Sequence, residues 1–399
     1  MDTKYVKGKT MFTENKKVQF NYLDKDLETD IVIVGGGITG CILAYYLSKN
    51  NIKCVVLEKE RIGYGSTSIS TALLQYELDS MVNELEEYMD TKDIERAYKL
   101  CLKALEDLED IISKHGNKCE YIKSDTLLYS SKKEDKKILK YEFDFRKSIG
   151  LDVDFIDQDQ KIFPFEIQAG IISKCGGARI NPYLLSLQLL EISKIPIYEN
   201  TKVDSLNYLQ DEIIVTTNYQ NKVKCKKVIV ATGYDTDLFT DRNFGTKSIT
   251  YNIVTEKLID VKKYNEYIIR DTNSPYNYYR KTADNRMIAG GEDMEVNEKN
   301  YSEEVAKEKY KILENRLKTI FKNTRESKIE YNYEGIFCST KDDLGFIGQD
   351  NKHKNLWYSL GYGANGILYA ILAGQMLSDL YFGKANIDMK LFAIDRFDK

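Results

Sequence analysis

Apolar residues along this chain fall into short continuous or alternating runs, which predict strands, and into runs spaced by three or four, which predict helices. Positions 31–34 (IVIV) form a continuous run, as in a strand buried on both faces. Gly35-x-Gly37-x-x-Gly40 follows at once and opens an apolar helix, and the run 54–57 predicts a second strand that ends on Glu58. Farther on, Met81, Leu85, Tyr88, Ile94, Tyr98, Cys101, Leu105, Leu108 and Ile112 recur at helical spacing and predict one long or two short amphipathic helices. A strand is expected over 126–130, a charged helix near 133–147 and a short helix over 182–193, with Pro182 at its start. Val203, 213–215 and 228–230 predict a strand series. The runs 249–255, 267–270, 276–282 and 286–291 alternate and are rich in tyrosine, so an antiparallel sheet with one exposed face is expected, followed by a helix near 303–321.

The first of these patterns carries chemistry. Strand, glycine loop, helix, second strand and terminal acid make a complete βαβ dinucleotide-binding unit. Gly35 permits a tight turn, Gly37 lets bare backbone approach a pyrophosphate, and Gly40 lets the helix pack close to the strand. The first amides of a helix lack intrahelical partners and favour phosphate. Glu58 is placed to accept hydrogen bonds from a ribose. Two later segments fit the same unit. The strand at 228–230 ends in Ala231-Thr232-Gly233, whose small residues let the chain pass close to a cofactor. Gly361, Gly363 and Gly366 precede a long apolar helix, whose positive end suits developing negative charge. The run 367–382 is shorter than the roughly 20 residues of a membrane span and contains Gln375, Ser378 and Asp379, so a buried helix is expected.

Composition narrows the classes. The 399 residues, 42% hydrophobic and 30% charged, allow two domains with proper cores. A net charge of −4 leaves no electrostatic footprint for nucleic acid. Seven cysteines without a CxxC suggest reduced thiols, a cytoplasmic setting and no metal site. The first 29 residues are polar and lysine-rich, unlike a signal peptide. The dinucleotide-binding part is expected to be split over 1–84, 172–245 and 332–399, with a substrate domain over 85–171 and 246–331.

The residues 35–40 (GGGITG), Glu58, the stretch 63–68 (GYGSTS), Ala231-Thr232-Gly233, the stretch 340–348 and the glycine-rich 361–366, in that order, resemble the D-amino-acid oxidase family of FAD enzymes, the group that includes glycine oxidase and monomeric sarcosine oxidase. The resemblance covers nearly the whole chain. It implies an α/β fold, with a doubly wound, Rossmann-like FAD domain and an inserted antiparallel-sheet α+β substrate domain. It also implies hydride transfer from a carbon bearing an amine to flavin N5, the imine then hydrolysing in water. By this resemblance FAD is held by Gly35, Gly37, Ile38, Thr39 and Gly40, by Glu58 and Lys59, and by Ser66, Thr67 and Ser68 along the pyrophosphate and flavin. Val203 matches a position whose backbone meets adenine, Ala231, Thr232 and Gly233 flank the cofactor, and Gly363, Ala364, Asn365, Gly366 and Ile367 match the loop near the pyrimidine end.

Departures from the family bear on substrate. The carboxylate-binding positions of its members fall here at Phe337, Leu368 and Gln75, none of them charged. A guanidinium clamp supplies much of carboxylate recognition, so a simple small α-amino acid is disfavoured, although Arg280 and Arg286 remain candidates. The covalent flavin cysteine of sarcosine oxidase aligns near Gly335, three places from Cys338, which implies noncovalent FAD. The oxygen-assisting lysine falls at Ile288, which leaves oxygen or another electron acceptor open. Tyr251, Tyr278, Arg280 and Phe337 are the candidate pocket, with aromatic walls suited to amines. Only two histidines occur, His115 and His353, both expected in surface loops. Oxidising an alcohol wants a positioned base, whereas an amine can lose its proton to solvent first, which favours the amine. The alternatives are a 2-hydroxy-acid or polyol-phosphate dehydrogenase on the same scaffold, and a flavin-holding subunit without turnover.

Overall fold

The computed structural model describes residues 6–14, 18–157, 162–296 and 302–398. Its strands build two sheets. In the first, the order is Phe346–Gln349, Leu356–Leu360, Lys222–Val230, Leu27–Val34, Cys54–Leu57, Ile197–Tyr198. The pairings from Leu356–Leu360 to Ile197–Tyr198 are parallel, and Phe346–Gln349 is an antiparallel edge. Strands Val203–Tyr208 and Ile213–Thr217 extend Lys222–Val230 as an antiparallel ladder. The apolar run read from sequence is the inner half of the central strand. Ile31 and Ile33 enter one hydrophobic core while Val32 and Val34 enter another, so both faces are covered.

Three helices pack together over this sheet: Ile38–Lys49, Pro182–Ser193 and Gly366–Tyr381. Gly374 explains how close the approach is, because a Cβ there would meet the Tyr46 ring at 2.4 Å. The Asn181 side chain caps the second helix by accepting from the Leu184 amide at 3.1 Å, just before Pro182. The amphipathic stripe resolves into a short helix, Val82–Leu85, and a long one, Thr91–His115, capped by Asp90 through the Asp93 amide at 2.9 Å.

The second sheet runs Val6–Gly8, Ile329–Ser339, Thr246–Thr255, Met287–Glu295, Asn277–Lys281, Ile268–Asp271, Ile122–Ser130, Ala169–Arg179, Leu73–Gln75, with Val153–Asp157 paired to Ala169–Arg179. Residues 73–75, 172–179 and 332–339, grouped by sequence with the dinucleotide-binding part, hydrogen-bond into this sheet. Its central strands do not present the expected exposed face. Helix Glu303–Ile320 covers one side with Ile249, Tyr251, Ile253, Tyr279 and Ala289. The polar positions that alternate with these, Thr250, Asn252 and Tyr278, face an interior cavity instead of bulk water. An alternating pattern cannot distinguish the two, because a polar cavity and solvent ask for the same residues.

The sequence predicts both histidines in surface loops; His353 is in one, but His115 belongs to a helix, because the long amphipathic run continues to it. His115 closes the last turn of the long helix and lies edge-on to Tyr45, and His353 stacks on Tyr208 with ring centroids 3.8 Å apart.

Candidate active site

A single cavity of about 320 Å³ runs from the glycine loop to the second sheet. At its first end the loop geometry follows from the residues. Gly35 has φ +109, and a Cβ there would lie 2.5 Å from the Ala231 carbonyl oxygen. A Cβ on Gly40 would lie 1.9 Å from the Gly35 oxygen, so helix and loop touch through bare backbone. Gly37 differs from both. Its φ of −71 suits any residue, and a Cβ there would meet only Thr67 Oγ1, at 3.4 Å. The protein itself does not demand a glycine at 37, and the open space there suits a ligand phosphate. The Ile38 amide donates to Thr67 Oγ1 at 2.9 Å, which ties the Ser66–Ser68 turn to the helix start. Glu58 accepts from the Gly36 amide at 2.6 Å and the Glu60 amide at 2.8 Å. Burial raises its carboxyl pKa, and these two amides pull it back. Lys59 pairs with Asp235 at 2.6 Å, closing the two strand ends over this part of the cavity.

Of the cofactor residues read from sequence, Gly35, Gly37, Ile38, Thr39, Glu58, Lys59, Ser66, Thr67, Ala231, Thr232, Gly233, Gly363, Ala364, Gly366 and Ile367 line this cavity. Four do not. Gly40 serves helix packing. Ser68 is buried and donates to the Gly65 oxygen at 2.9 Å. The Val203 side chain lies in a hydrophobic core. Asn365 is buried, and its Nδ2 donates to the Glu77 oxygen at 2.8 Å, so it braces the turn from behind. The three C-terminal glycines also have internal reasons. Gly361 and Gly366 cross at backbone contact, and Gly363, with φ +73, lies against the Asp343 carbonyl.

The residues fit an FAD nucleotide by two observations of the structure itself. Gly37 leaves a cradle that a side chain would fill. The Thr232 Oγ1, shielded from solvent, has no hydrogen-bond partner within the protein. Cys338 stays outside this cavity, buried beside Tyr234 and Phe244, and its thiol pKa is pushed up to about 12 by burial.

At the second end the candidate pocket residues divide. Tyr278 and Phe337 line the cavity. Tyr251 does not: strand alternation turns it to the opposite face, edge-on to Tyr310 of the covering helix. Arg280 shares the parity of Tyr278 but lies beyond the cavity wall, where its guanidinium donates to the carbonyls of Thr71 and Ile180, the latter at 3.0 Å. Arg286 pairs with Glu330 at 2.5 Å and Asp284 at 3.1 Å, also outside the cavity. Gln75 lines the cavity where a family member carries arginine, whereas Leu368 is in the core.

Sequence reasoning missed Asp79, Thr250, Asn252, Arg270, Tyr276 and Asp293, all of which line this end. Asp79 arrives on the segment after Leu73–Gln75. That segment is held by a buried cluster in which Arg146 pairs with Glu77 at 2.8 Å and Glu142 at 2.7 Å. Arg270 donates to the Asp79 carbonyl at 2.7 Å and to its carboxylate at 3.3 Å. Asp293 reaches the cavity through a bulge. Ile249 pairs with Met294 and Tyr251 with Gly291, so both Glu292 and Asp293 oppose Thr250. Glu292 turns to the covering helix, pairing with Arg316 and, at 3.0 Å, with Lys309, and Asp293 turns inward. Burial pushes the Asp293 carboxyl up to about 6 and also raises that of Asp79. One signal was available: acids and an arginine inside otherwise apolar strands.

Comparison with known proteins identifies the family. The family model described as DAO, FAD dependent oxidoreductase, matches residues 30–380. The chain belongs to that family. Among relatives of this DAO-family chain, gamma-glutamylputrescine oxidoreductase of Escherichia coli (strain K12) is 24% identical over 386 residues, covering 93% of this chain and 88% of the relative. Glycine oxidase of Bacillus subtilis (strain 168) is 22% identical over 387 residues, covering 92% of this chain and 97% of the relative. The crystal structure of glycine oxidase from Geobacillus kaustophilus superposes with a TM-score of 0.77 at 17% identity, over 93% of this chain and 99% of that one, which shows the DAO fold.

Proposed function

We propose that this FAD-dependent oxidoreductase oxidises a C–N bond of a small amine or amino acid, with FAD held noncovalently. The observation that carries the reading is the one continuous cavity, with a phosphate cradle at one end and a polar, aromatic wall at the other. The parallel-sheet part is read as FAD-binding and the mixed sheet as the substrate part. FAD, when bound, supplies the hydride acceptor; the imine product is hydrolysed by water to a carbonyl compound and an amine. The chain's own residues bind and orient. Gly37 and Thr232 admit the nucleotide, Tyr276, Tyr278 and Phe337 wall the substrate space, and Asp79 and Asp293 set its charge. Two acids disfavour an anionic substrate, whether a 2-hydroxy acid, a polyol phosphate or the carboxylate of an amino acid, and Arg270 is occupied with Asp79 rather than open as an anion clamp. This favours an amine over the hydroxy-acid alternative. The names of the relatives, a gamma-glutamylputrescine oxidoreductase and a glycine oxidase, support the same chemistry. Noncovalent attachment is supported by the absence of cysteine from the cavity lining among the described residues. All seven cysteines are free thiols, which supports a reducing, cytoplasmic setting. The test is anaerobic addition of amines, amino acids and hydroxy acids to the purified protein while flavin absorbance is followed. Bleaching by amines or amino acids is expected; bleaching by hydroxy acids alone overturns the assignment.

A further inference from the structure

We propose that the sheet end of the cavity is a cation subsite, so that the substrate carries a second, positively charged nitrogen beyond the one whose carbon is oxidised. This rests on the amine-oxidising reading. Asn252 is only 1% exposed and lines the cavity, yet neither its Oδ1 nor its Nδ2 has a partner. A buried amide oxygen left without a donor is costly unless something entering the cavity supplies one, and an ammonium supplies it to Oδ1. Beside it on the same wall, Asp293 keeps Oδ1 buried and unpartnered. Thr250, whose hydroxyl lies 3.1 Å from the Tyr278 hydroxyl, and Tyr276 complete the wall.

The charges agree with a cationic occupant. On the cavity wall two acids, Asp79 and Asp293, face one cation, Arg270, which is spent on Asp79. Asp343 accepts from the Ser80 amide at 2.6 Å, and Lys309 and Arg316 are spent on Glu292 across the sheet. Asp293 is the acid left with an open oxygen. An ammonium brings three donors and no acceptor, and this wall offers carboxylate, amide and hydroxyl oxygens. The tyrosine faces add surface suited to a cation. The paired nitrogen is not the reacting one. An ion pair with Asp293 holds an ammonium protonated, without the lone pair that expels hydride. A substrate that uses both ends therefore has two basic nitrogens, as a diamine does.

The experiment compares three probes with the purified flavin-loaded protein under anaerobic conditions: putrescine, butylamine, which lacks its second nitrogen, and 4-aminobutyrate, which carries a carboxylate in place of the second aminomethyl group. Losing a hydrogen bond to a charged group costs about 1.5–3 kcal/mol, or about 10- to 150-fold in binding. Half-reduction is expected at about 10-fold lower putrescine than butylamine or less, with aminobutyrate weakest. Asp293→Asn, which keeps the shape, is expected to collapse the putrescine-to-butylamine preference through half-saturation rather than through the limiting rate. Asn252→Asp is expected to widen it. Equal response to all three probes, or an unchanged preference in both variants, overturns the cation subsite while amine oxidation stands. If neither amines nor amino acids bleach the flavin, the broader reading and the subsite fall together; bleaching by amino acids alone overturns the subsite only.

Discussion

Gly37→Ala separates what the fold needs from what the cofactor needs. The backbone at 37 is ordinary for any residue, and the added methyl meets only Thr67 Oγ1, at 3.4 Å. Alanine is a poorer helix cap than glycine by up to about 1 kcal/mol, offset by about 0.4–1 kcal/mol from a less flexible unfolded chain. The variant should therefore fold with stability within about 1 kcal/mol of the parent. The methyl would instead enter the open space proposed for the FAD pyrophosphate. Overpacking of this kind costs about 1–3 kcal/mol, or roughly 5- to 150-fold in FAD affinity. Gly40→Ala is the contrast: its methyl would sit 1.9 Å from the Gly35 oxygen, so the βαβ unit itself must distort. The assay is a flavin-fluorescence titration of deflavinated protein, with thermal melts of each variant without FAD. A Gly37→Ala protein that melts normally but binds FAD weakly fits the reasoning. Parental affinity refutes the placement of the phosphate at this loop.

Three further outcomes follow from the same geometry. Thr232→Val removes a hydroxyl that has no partner in the protein, so the FAD-free melting temperature should hold or rise while FAD affinity falls; lowered stability without FAD would contradict it. Arg146→Ala leaves Glu77 and Glu142 buried without a counter-charge and should cost about 3–5 kcal/mol in denaturant unfolding; a loss below about 1 kcal/mol would show that the cluster does not hold the cavity wall. The Asp343 carboxyl is pushed up to about 7 by burial and by the Asp79 charge beside it, from an ordinary 3.8. Its folded pKa lies above its unfolded one, so its stabilising contribution is full below about pH 4 and is lost as pH rises through 7. Asp343→Asn should flatten that part of the pH profile of the melting temperature, and an unchanged slope between pH 4 and 7 would contradict the shift.

The cavity end proposed to hold the nucleotide was legible in the sequence because the residues that shape its loop are local. Gly35, Gly37 and Gly40 act within six positions of one another, and the strand, helix and acid around them follow in order. The substrate end was not. Asp293 faces the cavity only because a bulge sets two residues against Thr250, and such a slip leaves no mark in an alternating pattern. Tyr251 and Tyr278 look alike in sequence, yet strand parity sends one to the covering helix and the other to the cavity. Asn365 read as a cofactor residue because it stands in a glycine-rich loop, but its amide reaches back to Glu77, a contact 288 positions away. Asp79 enters the site through pairings of its neighbours with a distant strand, which no local signal reports.

The most direct measurement is the absorbance spectrum of the purified protein, followed by denaturation and filtration. The account predicts a flavin spectrum in the folded state and one equivalent of FAD in the filtrate, free of polypeptide. A colourless protein that also fails to take up added FAD would contradict the central claim, and flavin retained with the chain after denaturation would contradict noncovalent binding.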